Sequence, residues 1–192
     1  MGKGDEVIMK KFLILLILTL LCCSSAWAES KSENKSLIAY FSWSGNTEAV
    51  AKTIADVTGF ELFEIKTLKP YTKDYDAVLN VAKTEQNRNA RPELASHVQD
   101  MTQYDTIILG FPCWWGTMPM AVFTFLEEYD FSGKRIIPFV THGGSSFGRS
   151  LNDMRKILPN AKIESNGLSI SGTASRSQVA NWLNEVGISA KD

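Results

Sequence analysis

Three runs of almost uninterrupted apolar residues leave few folds open to this chain. Leu37-Ile38-Ala39-Tyr40-Phe41, Thr106-Ile107-Ile108-Leu109-Gly110-Phe111 and Ile136-Ile137-Pro138-Phe139-Val140 lack the polar alternation of a strand with one wet face. Both faces of each must be covered, the condition of parallel strands sandwiched between helices. Two further runs, Glu61-Leu62-Phe63-Glu64-Ile65 and Leu168-Ser169-Ile170, are broken by polar residues and suit the two sheet edges. The expectation is a five-stranded parallel sheet with the second and fifth strands outermost, in an α/β three-layer sandwich.

Helical periodicity fills the gaps. Thr47, Val50, Ala51, Ile54 and Ala55 share one face, and Gly59 is placed to end that helix. Pro119 opens a helix over residues 120–128, Leu151, Met154 and Ile157 mark another, and Val179, Trp182, Leu183 and Val186 a last one. Residues 69–89 are polar apart from Pro70, Tyr71 and Tyr75, and read as a loop plus a short helix over one sheet edge.

The first 28 residues stand apart from this pattern. Lys10 and Lys11 precede an apolar run from Phe12 to Leu21, and Ala26-Trp27-Ala28 supplies a small-residue cleavage site, the layout of a secretory signal. The run is shorter than the roughly 20 residues a membrane span needs. Cleavage after Ala28 is expected, followed by a polar lead-in over 29–36 and one domain over 37–192. The protein would be periplasmic or secreted, with no stable membrane span after signal removal. A lipoprotein signal is the weaker alternative, because Leu21 before Cys22 is larger than the residue usual there.

Composition then removes function classes. The whole chain carries 20 basic and 21 acidic residues, and removal of the signal leaves 17 against 19, a net of −2. A nucleic-acid partner would need clustered cations to neutralise phosphates, so none is expected. Of three cysteines only Cys113 follows the signal, which excludes an internal disulfide framework. No metal-ligand spacing is present.

Chemistry should lie in the loops beyond the carboxyl ends of the strands. Ser42-Trp43-Ser44-Gly45-Asn46-Thr47 joins a buried strand to a helix and gathers hydroxyls, an amide and free helix-start N–H groups. It lacks the lysine of a Walker loop and the glycine spacing of a dinucleotide fingerprint. Such a loop suits a phosphate monoester such as that of FMN, or is an ordinary Ser/Asn helix cap. Pro112-Cys113-Trp114-Trp115-Gly116 places two tryptophans at a strand end; one can pack in the core, but the other becomes a stacking surface for a flat ligand. Cys113 reads most simply as a small buried residue. Thr141-His142-Gly143-Gly144-Ser145-Ser146-Phe147-Gly148 lets main-chain N–H groups approach a ligand edge. Gly144 to Gly148 also satisfies the G-x-S-x-G elbow of serine hydrolases, but both histidines, His97 and His142, precede Ser146 in the chain, against the order that elbow requires.

Together these loops resemble the flavodoxin-like family, and within it a subgroup of small flavoproteins with a Pro-x-Trp-Trp-Gly loop. The resemblance covers most of the chain after the signal and implies strand order 2-1-3-4-5 and noncovalent FMN. Ser42, Ser44, Asn46 and Thr47 would hold the phosphate, Trp114, Trp115 and Gly116 would flank the isoalloxazine, and the 141–148 loop would be its second flank. Cys113 and His142 depart from the residues usual at those positions. The flavin would carry the chemistry, with no catalytic side chain. Two functions follow: an oxidoreductase passing electrons from reduced FMN to a small acceptor such as a quinone, with NAD(P)H a candidate donor, or a carrier docking on redox proteins.

Overall fold

The computed structural model describes residues 35–191, so the expected secretory signal and its cleavage site lie outside the described residues. The elements run β1 (Lys35–Tyr40), α1 (Asn46–Thr58), β2 (Glu61–Glu64), α2 (Tyr75–Asn87), β3 (Tyr104–Pro112), α3 (Met120–Glu128), β4 (Arg135–Thr141), α4 (Ser150–Ile157), β5 (Lys162–Ile163), β6 (Leu168–Ile170) and α5 (Arg176–Glu185). All strand pairs are parallel, in the order β2-β1-β3-β4-β5, with β6 also on β4. Strand β1 begins at Lys35, so the last two residues of the expected lead-in are part of the sheet.

The apolar runs form the three central strands for the reason their composition implies. Leu37, Ala39 and Phe41 face one core, with Ile107, Leu109 and Phe111; Ile38 and Tyr40 face the other, with Ile108, Ile137 and Phe139. Helix α3 and Met154 of α4 cover the first layer, while α1 and α5 cover the second through residues such as Ile54, Val179 and Leu183. Gly110 is where the two central strands permit no side chain: a Cβ there would stand 1.9 Å from the Phe139 ring.

Two expectations are corrected. The edge strand at Leu168–Ile170 is the second of two pieces: β5 pairs Arg135–Ile136 and β6 pairs Phe139–Thr141, with an unpaired stretch between them. There Gly167 abuts the Phe147 ring and the Pro138 carbonyl, 2.5 and 2.8 Å from any added Cβ, so the edge is interrupted where Phe147 tucks under it. The second correction is that α2 is a full 13-residue helix. Asp74 caps its N-terminus by accepting from the Ala77 N–H at 2.7 Å. The excursion containing it is closed by an antiparallel bridge between Thr67 and Leu94.

Candidate functional site

The three loops converge on a cavity of about 290 Å³ at the carboxyl end of the sheet. Trp43, Ser44 and Asn46 line it from the first loop, Pro112 to Trp115 from the second, and Thr141, His142 and Gly143 from the third. No carboxylate, ammonium or guanidinium lines it among the described residues.

The first loop presents donors. Gly45 takes a left-handed φ of 88° to turn the chain into α1, and its carbonyl accepts from the Ala49 N–H. Ser42 Oγ accepts from the Glu48 N–H at 3.2 Å. The N–H groups of Ser44, Gly45, Asn46 and Thr47 meet no acceptor among the described residues. Thr47 is different: its hydroxyl is buried and lies 2.8 Å from that of Thr141, so it ties the first loop to the third.

The tryptophan pair splits as the geometry of a tight turn requires. Trp114 and Thr117 exchange backbone hydrogen bonds at 2.8 and 3.1 Å, and the two residues between them, Trp115 and Gly116, both have positive φ, 50° and 76°. Such a turn suits glycine at its second central position and strains any other residue at the first. Trp114 stays inside, edge-on to Phe41 and Tyr71 at 5.4 and 5.3 Å. Trp115 is turned out, 47% exposed, with its Nε1 donating to the Leu79 carbonyl.

The third loop ties its histidine and a serine to neighbouring groups. The Gly144 N–H donates to His142 Nδ1 at 2.9 Å, so that nitrogen carries no proton, and Nε2–H donates to Ser169 Oγ at 2.8 Å. Ser169 in turn lies 2.8 Å from Ser146 Oγ. Ser146 and His142 do meet through Ser169, and Ser146 has the positive φ of 49° expected of a nucleophile elbow. Yet the imidazole donates towards the hydroxyls and cannot accept their proton, so the arrangement does not serve acyl transfer. Gly144, Ser145, Phe147 and Gly148 do not line the cavity. Phe147 packs edge-on to Phe111, and Gly148 lies over the Gly116 carbonyl, 2.3 Å from where a Cβ would stand.

The remaining wall escaped the sequence reading. Tyr75, Val78, Leu79 and Ala82 of α2 line the cavity beside the tryptophan turn, and Gln86 Nε2 donates to the Trp115 carbonyl at 3.3 Å. Their i, i+3, i+4, i+7 spacing was a legible signal. Below the wall, Tyr71 donates to Glu85 at 2.7 Å, and burial holds the Tyr71 hydroxyl far above the ordinary phenol range and Glu85 above the usual carboxylate range. Among the described residues no cluster of side chains could hold a metal ion, and no helix is long and apolar enough to cross a membrane.

The flavodoxin family model matches residues 35–186, the whole of the sheet and all five helices. The chain belongs to the flavodoxin family. A protein from Bacteroides uniformis proposed to be a flavoprotein is 34% identical with a TM-score of 0.72, over 79% of this chain and 98% of that one. A similar protein from Bacteroides eggerthii is 29% identical, with a TM-score of 0.72 over 80% of this chain and 98% of its own. A Lactobacillus acidophilus flavoprotein in complex with FMN is 25% identical, with a TM-score of 0.62 over 78% of this chain and 98% of that one. No functionally curated protein matches. The site fits the group that the family implies: open N–H donors without cations suit a phosphate monoester, and an uncharged aromatic cavity suits a flat ring system.

Proposed function

We propose that this protein binds FMN noncovalently at the three loops and passes electrons from reduced FMN to a small acceptor such as a quinone. When bound, FMN supplies the electron transfer itself. The chain's own residues do the rest. The Ser44–Thr47 N–H groups orient the phosphate, Trp115 and Tyr75 give the ring an apolar face, and Trp114 holds the turn in place. The observation that carries the reading is the open, unpaired donor set of the first loop facing an uncharged aromatic cavity. Purified protein should be yellow, and steady-state assay with NADH, NADPH and a quinone panel tests turnover. No turnover with any donor and acceptor would remove the enzyme reading.

A second reading, an electron carrier that docks on redox proteins, is favoured by the exposed rim. Tyr75 is 62% and Trp115 47% exposed, so the cavity reaches the surface through aromatic rings. Reduction of a partner protein without turnover of small acceptors would select it.

We further propose that the chain is exported by its N-terminal signal and takes up FMN outside the cytoplasm. Lys10-Lys11 without a twin arginine suits a signal that threads an unfolded chain, and bound FMN would be lost on unfolding. A structure of the apo-form of the Lactobacillus acidophilus flavoprotein, 25% identical, supports an apoprotein that folds alone. Cell fractionation tests the route: mature holoprotein found mainly in the cytoplasm would contradict it.

A further inference from the structure

We propose that the cleft between α2, α3 and α4, beside the tryptophan turn, binds the oxyanion of a second, aromatic substrate. The proposal rests on the FMN reading for the substrate's role alone; the anion contacts stand on this chain's own residues. The cleft encloses about 300 Å³ and shares its rim with the turn through Thr117 and Gln86.

Its charge sets it apart from its surroundings. Arg91 is neutralised by Glu127, to which it donates through Nε and Nη2 at 2.6 Å each, and it lies over the Phe123 ring. Arg149 and Lys156 share the single carboxylate of Asp153, at 3.0 and 3.8 Å. That leaves one positive charge uncompensated. Lys83, 5.0 Å from the centre of the Trp115 ring, pairs with no carboxylate among the described residues and adds a second. In a chain whose formal net charge is −1, two unbalanced cations next to one exposed indole form a local field that favours an anion.

The cations are held in place rather than scattered. Asp153, only 15% exposed, accepts from Arg149 Nε and from the Thr117 hydroxyl at 2.8 Å. The Arg149 backbone N–H donates to the Gly116 carbonyl at 2.8 Å, and its Nη1 comes within 3.9 Å of where a Gly116 Cβ would stand. The two terminal nitrogens of the guanidinium bond to nothing among the described residues, leaving a fork one residue along the turn from Trp115. Because the aromatic cavity has no charged lining, an anionic substituent on a ring that enters at the cavity rim, beyond the Trp115 turn, has Arg149, Lys156 and Lys83 as its cationic partners. The class is therefore a flat ring joined to a phosphate or sulfonate-type oxyanion, as in a pyridine dinucleotide or an aromatic acid.

FMN-loaded protein, with the first loop occupied, is titrated by calorimetry with pyrophosphate, NADP+ and anthraquinone-2-sulfonate, in low salt and in about 0.5 M salt. Binding in low salt that weakens in high salt is expected. Lys156→Gln, whose side chain is 77% exposed and safe for folding, and the double variant with Arg149→Gln should weaken binding, the double by about tenfold or more, while FMN stays bound. Tighter binding of pyrophosphate and NADP+ identifies a dinucleotide, and tighter binding of the sulfonate an aromatic acid. Unchanged affinity in the double variant, or no binding of any probe, overturns the proposal. A protein that holds no FMN yet binds the probes through Arg149 and Lys156 overturns the flavin reading and leaves the cleft standing.

Discussion

The loops over 42–47 and 142–148 both leave the carboxyl end of a central strand and both lead into a helix, yet they treat their polar groups in opposite ways. Both leave N–H groups unmatched, but in the first the Ser44 and Asn46 side chains meet no partner among the described residues, whereas in the second His142 and Ser146 are tied to the Gly144 N–H and to Ser169. One loop keeps its polar side chains open to the cavity; the other has tied its own to neighbours. Similar composition thus gives a receptor in one place and a buttress in the other.

The sharpest test uses one substitution in both loops. Gly148→Ala would drive a Cβ to 2.3 Å from the Gly116 carbonyl in addition to its backbone strain at φ 52°, and should cost about 4 kcal/mol in denaturant unfolding. Gly45→Ala meets nothing within 4 Å and should cost only the left-handed strain, about 1 kcal/mol. Equal costs would show that the third loop is not the rigid one. Next in size, Trp114→Ala should lose about 3 kcal/mol, as an inward aromatic does, and Trp115→Ala under about 1 kcal/mol. The flavin should respond the other way, with its fluorescence recovering mainly in Trp115→Ala.

Ser44→Ala combined with Asn46→Ala should weaken FMN about tenfold while leaving riboflavin almost unchanged. Ser146→Ala should alter neither. Equal losses for FMN and riboflavin would move the phosphate away from the first loop.

The smallest effect concerns Glu85, below the α2 wall. Because its folded value is raised, the neutral form is favoured, so its contribution is fully present below the ordinary carboxylate value and is lost as pH rises through the raised one. Glu85→Gln keeps an acceptor for Tyr71 and should gain stability over wild type as pH rises from about 4 to 7. Parallel melting curves across that range would show that burial does not govern this carboxyl.

What could be read from the sequence followed how strongly each segment is buried. The three central strands announced themselves because both faces of each are dry, and α1 because Gly59 closes it with a left-handed φ of 76°. Helix α2 was read too short because only Val78 and Ala82 are fully buried in it and the rest of the stretch is mostly polar, which masked the spacing of Tyr75, Val78, Leu79 and Ala82. The fifth strand was found only in its second half, since Lys162–Ile163 is a two-residue pairing with no pattern of its own. At the site, the three loops were legible because topology alone brings strand ends together. The self-bonding of His142 and the place of Arg149 beside Gly116 depend on distances that no spacing encodes.

Three short bonds cross-link the loops: the Thr47 and Thr141 hydroxyls at 2.8 Å, the Cys113 N–H on the Thr141 carbonyl at 2.8 Å, and the Arg149 N–H on the Gly116 carbonyl at 2.8 Å. All three are made between groups of the protein itself, two of them at the cavity-lining Cys113 and Thr141. The relative positions of the loops are therefore set when the sheet forms, and an arriving molecule has little backbone freedom left to freeze. Thr141 is the common node, touching the first loop through its side chain and the second through its carbonyl. A threonine that lines the cavity would thus also govern how much entropy a ligand's capture consumes.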